Sequence, residues 1–285
     1  MKKIRLINFA VVNVVIIFLT CNSYASDDSY QYEAILKYSS THWPDVETRV
    51  VSGDFNYYLA PVEYSNYPSS ENAFIARASS LTFTLGDSVS KFDSYINDLY
   101  SDRYGIGGRF FFDNTPLYVK AFYEGGDDED YRSLSGGFIA AFLIAFEGSL
   151  YKRTRFVIGG ENLELEGQRL RIKVQNFFAN GNGFRMVVYR EDEETTEKSY
   201  KSRTQKVRYT YFIRTGFNVS ASYEYIDATY GTNTNRALSV EWEYRPDIIF
   251  SVELGDMEED RNFRHSIAGG DQQGDFGSFD VTFRF

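Results

Sequence analysis

The chain has 285 residues, with 40 acidic against 30 basic side chains, a formal charge of −10 and a mean hydropathy of −0.38. Such acidity excludes a nucleic-acid surface, which needs basic groups to meet phosphate, and suits a protein that must stay soluble in periplasmic transit. Aromatic residues reach 18%, yet no segment beyond residue 25 offers the ~20 apolar residues of a membrane helix, so a membrane form must cross with strands.

Lys2, Lys3 and Arg5 precede an apolar run, 7–20, interrupted only by Asn8 and Asn13. Ser23-Tyr24-Ala25 then places small residues three and one before a cut ahead of Ser26. This is the layout of a secretory signal peptide over 1–25. Lipidation at Cys21 is the weaker reading, because Phe18-Leu19-Thr20 lacks the small residues expected before a lipidated cysteine. Cleavage removes the only cysteine, three basic residues and no acidic ones. It leaves 26–285 with a charge of −13 and with no thiol chemistry, disulfide or cysteine metal site.

Period-two alternation through 26–285 predicts an all-β fold of fourteen strands: 30–38, 49–60, 79–86, 103–112, 117–124, 133–139, 142–152, 164–178, 184–190, 202–213, 217–227, 236–245, 248–256 and 276–285. An even count is what a single-chain bacterial barrel requires. Gly137 to Ile144 is apolar without alternation; if it forms one bent strand, the count is twelve. Inner connections at 113–116, Ala140, 179–183, 214–216 and 246–247 are short, and 61–72 is the exception. Outer connections at 39–48, 87–102, 125–132, 153–163, 191–201, 228–235 and 257–275 are longer, as in an antiparallel up-and-down transmembrane barrel. All five prolines (Pro44, Pro61, Pro68, Pro116, Pro246) are expected in connections, since proline cannot donate to a ladder.

Open sheet edges are untenable in lipid, so the sheet must close. Fourteen strands exceed the eight whose side chains fill an interior, which leaves room for water or inserted loops. With no repeat and no linker, 26–285 is one barrel domain. Its last strand puts Phe279, Val281, Phe283 and Phe285 on a lipid face and Asp280, Thr282 and Arg284 on the other. The terminal Phe285 reads as the insertion signal for the barrel-assembly machinery.

Tyr57-Tyr58-Leu59-Ala60-Pro61-Val62, followed by Glu71-Asn72-Ala73-Phe74-Ile75-Ala76-Arg77-Ala78-Ser79-Ser80, resembles the first periplasmic connection of a family of general porins from Gram-negative proteobacteria. Members pair an aromatic strand and proline turn with a segment like Ala-Phe-Leu-x-Arg-Ala-Ser; Ile75 stands here for the commoner Leu. The resemblance implies an outer-membrane pore and brings no catalytic residues with it.

Alternation assigns faces. Arg169, Arg171 and Lys173 point one way on the eighth strand, Arg185 on the ninth, and Lys206 and Arg208 on the tenth, a basic lumen wall. The sign then reverses with Glu224, Glu241, Glu243 and Glu253, an acidic wall. Two readings stand side by side: a transverse field that tunes ion selectivity, or cross-strand pairing such as Lys206 with Glu224. Glu33, Lys37, Asp54, Arg109, Lys120, Glu124 and Asp280 share the lumen face. Lumen aromatics Tyr58, Tyr118, Phe122 and Tyr189 are too scattered for a continuous sugar track, while Tyr57, Phe110, Tyr209, Tyr223 and Trp242 face lipid.

Acidic clusters at 127–130, 191–194 and 258–260 read as solvated loop tips, with divalent cations bridging to lipopolysaccharide as the alternative. His42 and His265 fall in outer loops without a hydrolase motif, so no enzyme is expected. The expected function is an outer-membrane porin of a Gram-negative bacterium, passing ions and small hydrophilic solutes without cofactor or metal. The alternative is a non-conducting barrel acting as surface receptor or adhesion protein, its loop 257–275 serving as plug or binding site; a barrel hydrolase is the weakest reading. Expected partners are outer-membrane lipid and lipopolysaccharide; a barrel of this size can work as a monomer, and nucleic acid is not a partner.

Overall fold

Each strand pairs antiparallel with its sequence neighbours: β1 Ser29–Trp43, β2 Val46–Glu63, β3 Ser80–Phe92, β4 Leu99–Phe111, β5 Leu117–Gly126, β6 Glu129–Ala140, β7 Ile144–Phe156, β8 Asn162–Phe177, β9 Gly183–Thr195, β10 Lys201–Arg214, β11 Phe217–Ala228, β12 Gly231–Arg245, β13 Ile248–Arg261 and β14 Gln272–Arg284. β1 and β14 close the ring, from Glu33 against Arg284 to His42 against Asp275. This computed structural model describes residues 29–64, 72–92, 99–113, 115–127, 129–140, 144–156, 162–178, 182–195, 200–214, 216–229, 231–261 and 272–285. Residues 1–28 with Cys21, His265 and most of the expected loop 257–275 lie outside the described residues.

The barrel is inside-out in polarity. Leu134, Leu150, Leu238 and Leu254 are each more than 60% exposed on the outer face, where lipid replaces a core. Phe285, assigned to that face by alternation, is instead buried; its carbonyl accepts from Gln31 N and Tyr32 N, and its own N–H donates to Tyr32 O. Among the described residues, buried apolar side chains form two small clusters, Tyr30–Tyr58–Val62–Ala78 and Tyr118–Ile139–Ala145.

The count is fourteen, not twelve: Ala140 of β6 pairs with Ile144 of β7 across a three-residue connection. Most expected outer loops are strand instead. β1 and β2 stay in register up to Trp43 against Val46, so 39–48 shrinks to the turn Pro44-Asp45. Above the lipid both faces of a strand meet water, so the polar–apolar alternation disappears while the ladder continues. For the same reason Glu191 to Glu194 lie on β9, Glu129 and Asp130 on β6, and Glu258 to Asp260 on β13, as strand residues and not loop tips. Cross-strand cations meet several of them, Arg203 to Asp192 at 2.8 Å and Arg153 to Glu129 at 2.8 Å. Among the described residues none of these groupings is arranged to hold a metal ion.

Pro61 is a second correction. It lies within β2, where Tyr32 faces Tyr57 but Tyr30 faces Val62, so the proline occupies a wide bulge that needs no ladder donor. Beyond β2 the connection turns inward as a one-turn helix, α1 Asn72–Ile75. Its end is a Schellman-type cap: Ala78 N donates to Ala73 O at 2.9 Å and Arg77 N to Phe74 O at 3.1 Å. The left-handed position usually given to glycine is filled by Arg77, at φ 51°. Its guanidinium donates to the Thr115 carbonyl at 3.2 Å in the next periplasmic turn.

Candidate functional site

Alternation on β8, β9 and β10 carries the basic residues into the lumen, and register sets them beside one another. Arg171 faces Tyr189, Tyr189 faces Lys206, and Lys206 faces Glu224, one continuous row across four strands. All six predicted basic residues line a central lumen cavity of about 530 Å³. Of the four acidic ones only Glu241 does so. Glu224 and Glu253 engage the basic side chains from beside it, and Glu243 sits towards the periplasmic end, its N–H bonded to the Gly216 carbonyl.

Pairing between the walls is extensive. Lys206 reaches Glu224 at 3.6 Å. Arg208, on β10, reaches Glu253 on β13 at 3.2 Å and donates to Ser239 Oγ at 2.7 Å. That side chain lies flat along the wall because β11 and β12 offer it the small residues Ser222 and Ala237 in the intervening row. Arg169 pairs with Glu191, and Lys120 with Glu147. Arg171 stands opposite Glu147 in the β7–β8 register. Arg185 donates to Thr210 Oγ1 at 3.3 Å and stacks over Phe212 at 5.4 Å. Lys173 is buried, with Nζ 3.8 Å from the centre of the Phe74 ring. A desolvated cation in that position gains ~2 kcal/mol.

Lumen tyrosines do not form a sugar track; they hold carboxylates. Tyr118 donates to Glu147 at 2.8 Å, Tyr151 to Glu191 at 2.8 Å, Tyr189 to Glu224 at 2.7 Å and Tyr58 to Glu33 at 3.2 Å. Each carboxylate is therefore fixed by a neutral donor as well as by nearby cations, so the walls are a set array of charge.

Three residues escaped the sequence reading. Glu147 shares the parity of Ala145 and Ser149, a signal obscured by the unpatterned run before it. Glu191 was assigned to a loop. Phe74 belongs to no strand, so alternation could not give it a face; only the segment Ala73 to Ser79 marked its neighbourhood. Its ring meets Phe111 at 6.3 Å and Tyr118 at 6.2 Å, and Arg109 lies over it at 5.8 Å.

Residues 1–145 match the family model described as "Putative general bacterial porin". The fold is similar to that of the outer membrane protein Omp33 of Acinetobacter baumannii, at 16% identity over 91% of this chain and 100% of that one, with a TM-score of 0.57. It is also similar to a structure described as a bacterial polysaccharide outer membrane secretin, at 10% identity over 90% and 99% of the two chains, with a TM-score of 0.51. At those identities the likeness is one of fold. No curated protein matches the sequence.

Proposed function

This chain belongs to the general bacterial porin family, an outer-membrane channel of a Gram-negative bacterium, and on that premise we propose that its lumen is an anion-preferring diffusion pore. The observation that carries the reading is the central cavity: eight basic and four acidic side chains are among its described lining residues, although the whole chain is acidic. The carboxylates that pair with Lys37, Arg169, Lys206 and Arg208 lie outside that lining, so the excess belongs to the surface a solute meets, where it raises the local concentration of small anions and repels cations. The arc from Arg169 to Arg208, facing Glu241 and Asp280, also keeps a transverse component that orients dipolar solutes. Solutes are small and hydrophilic and cross without cofactor.

The test is the reversal potential of the refolded mature protein in a planar bilayer under a salt gradient. Anion preference is expected, and Arg171→Glu is expected to shift it towards cations. An unchanged reversal potential in a folded variant refutes the assignment of Arg171; a barrel that is folded yet silent both in the parent and in every variant that widens the lumen refutes the pore reading in favour of a receptor or adhesion barrel. We further propose that the leader is cut after Ala25, that Phe285 serves insertion by the assembly machinery, and that the barrel works as a monomer amid lipopolysaccharide. The protein is not proposed as an enzyme: His42 lies on β1 in register with Glu47 and Asp275, and His42→Ala is expected to leave lipase and protease assays as silent as in the parent.

A further inference from the structure

The periplasmic connection after β2 carries the Phe74 ring into the lumen, and three strands hold it there. Phe111 of β4 and Tyr118 of β5 meet its ring, and Lys173, from β8 on the facing wall, sits on its face. The backbone that follows it is fixed twice: the Schellman-type cap with Arg77 closes the turn, and Phe111 N donates to Ser79 Oγ at 3.0 Å. Two further lumen spaces, of about 420 and 170 Å³, adjoin the central cavity, and Phe74 lines both. The smaller shares Glu147, Arg171 and Lys173 with the central cavity; the larger shares Glu33 and Arg284. A solute leaving the basic waist through either space passes this ring.

We propose that Phe74 is the size-determining residue of the pore: its ring, clamped by Lys173, forms the periplasmic constriction. The inference rests on the pore reading above and adds to it where the aperture is set. An apolar ring beneath a charged waist sets passage by width, while the waist sorts by charge. The two functions then reside in different residues and can be separated by mutation.

The experiment compares the mature protein with Phe74→Ala and Phe74→Trp, measuring single-channel conductance and the uptake of neutral sugars of graded size into vesicles. Folding is checked by heat-modifiable gel mobility. Phe74→Ala is expected to raise conductance by ~2-fold or more and to admit larger sugars, and Phe74→Trp to lower both. If Phe74→Ala fails to fold, Phe74→Leu keeps the apolar contact with Phe111 and Tyr118 and should give a smaller rise. A silent parent that conducts as the Ala or Leu variant also supports the assignment, with Phe74 then closing the pore. A conducting parent whose variants match it, or shift in the same direction, overturns the assignment and leaves the pore reading standing. Silence of every folded variant overturns both.

Discussion

Breaking the Glu33–Arg284 pair should weaken the barrel more than any other single ionic change in the lumen. Arg284 Nε lies 2.9 Å from Glu33 Oε2, and the two side chains are only 3% and 10% exposed. They join the first strand to the last, where closure of the ring depends on one interface. Arg284→Met strands a buried carboxylate, at a cost of ~3–5 kcal/mol. Tyr58 and Asn56 still donate to Glu33 Oε1, at 3.2 and 3.1 Å, which favours the lower end, about 3 kcal/mol. Glu33→Met strands the guanidinium instead, leaving its stack over Tyr30 at 4.7 Å. The double variant removes both charges and should cost less than the sum of the singles by about 2 kcal/mol. Urea unfolding from phospholipid vesicles, followed by the fluorescence of Trp43 and Trp242, measures all four states of the cycle. A loss below about 1 kcal/mol for Arg284→Met, or strict additivity, refutes the idea that a desolvated pair secures the seam.

A Cβ on Gly137 would stand 2.1 Å from the Tyr118 ring, so Gly137→Ala must push Tyr118 off Glu147; a loss of ~1–3 kcal/mol in urea unfolding is expected. Gly136→Ala, whose Cβ meets nothing within 4 Å, should be neutral, and equal effects at both sites would refute the reasoning. Arg77→Gly relieves a left-handed residue worth ~1–2 kcal/mol and gives up a hydrogen bond of ~0.5–1.5 kcal/mol, so its stability should stay within about 1 kcal/mol of the parent. Arg77→Val, branched at a positive φ, should lose clearly more in the same assay. Raising salt from ~0.1 to ~1 M shortens the screening length from ~10 to ~3 Å; the anion-to-cation permeability ratio should fall towards one, and a salt-independent ratio would argue against charge as the filter.

The strands were legible because lipid on one side and water on the other write the same alternation fourteen times. The signal ended where lipid ended, which is why β9 was expected to stop at Arg190 but continues through Glu191 to Thr195. The basic arc could be read from parity alone, since Arg169, Arg171 and Lys173 are two residues apart on one strand. Pairings such as Arg208 with Glu253 were not, because they depend on register across β11 and β12, which no single strand encodes. Phe74 was invisible for a different reason: a single turn of helix has no period, and its place follows from the wall it meets.

β1 has 15 residues, which at ~3.4 Å each and a tilt of ~40° raise the wall about 39 Å along the membrane normal, against an apolar band of ~25 Å. Because the unforeseen residues lie chiefly at the outer ends of the strands, most of that excess stands on the outside as a hydrogen-bonded chimney. On this side of the barrel the rim is therefore expected to stand clear of the headgroup plane. A dissolved molecule would then meet a hydrogen-bonded wall of β1 and β2 before it reached the crowded phosphates at the membrane surface.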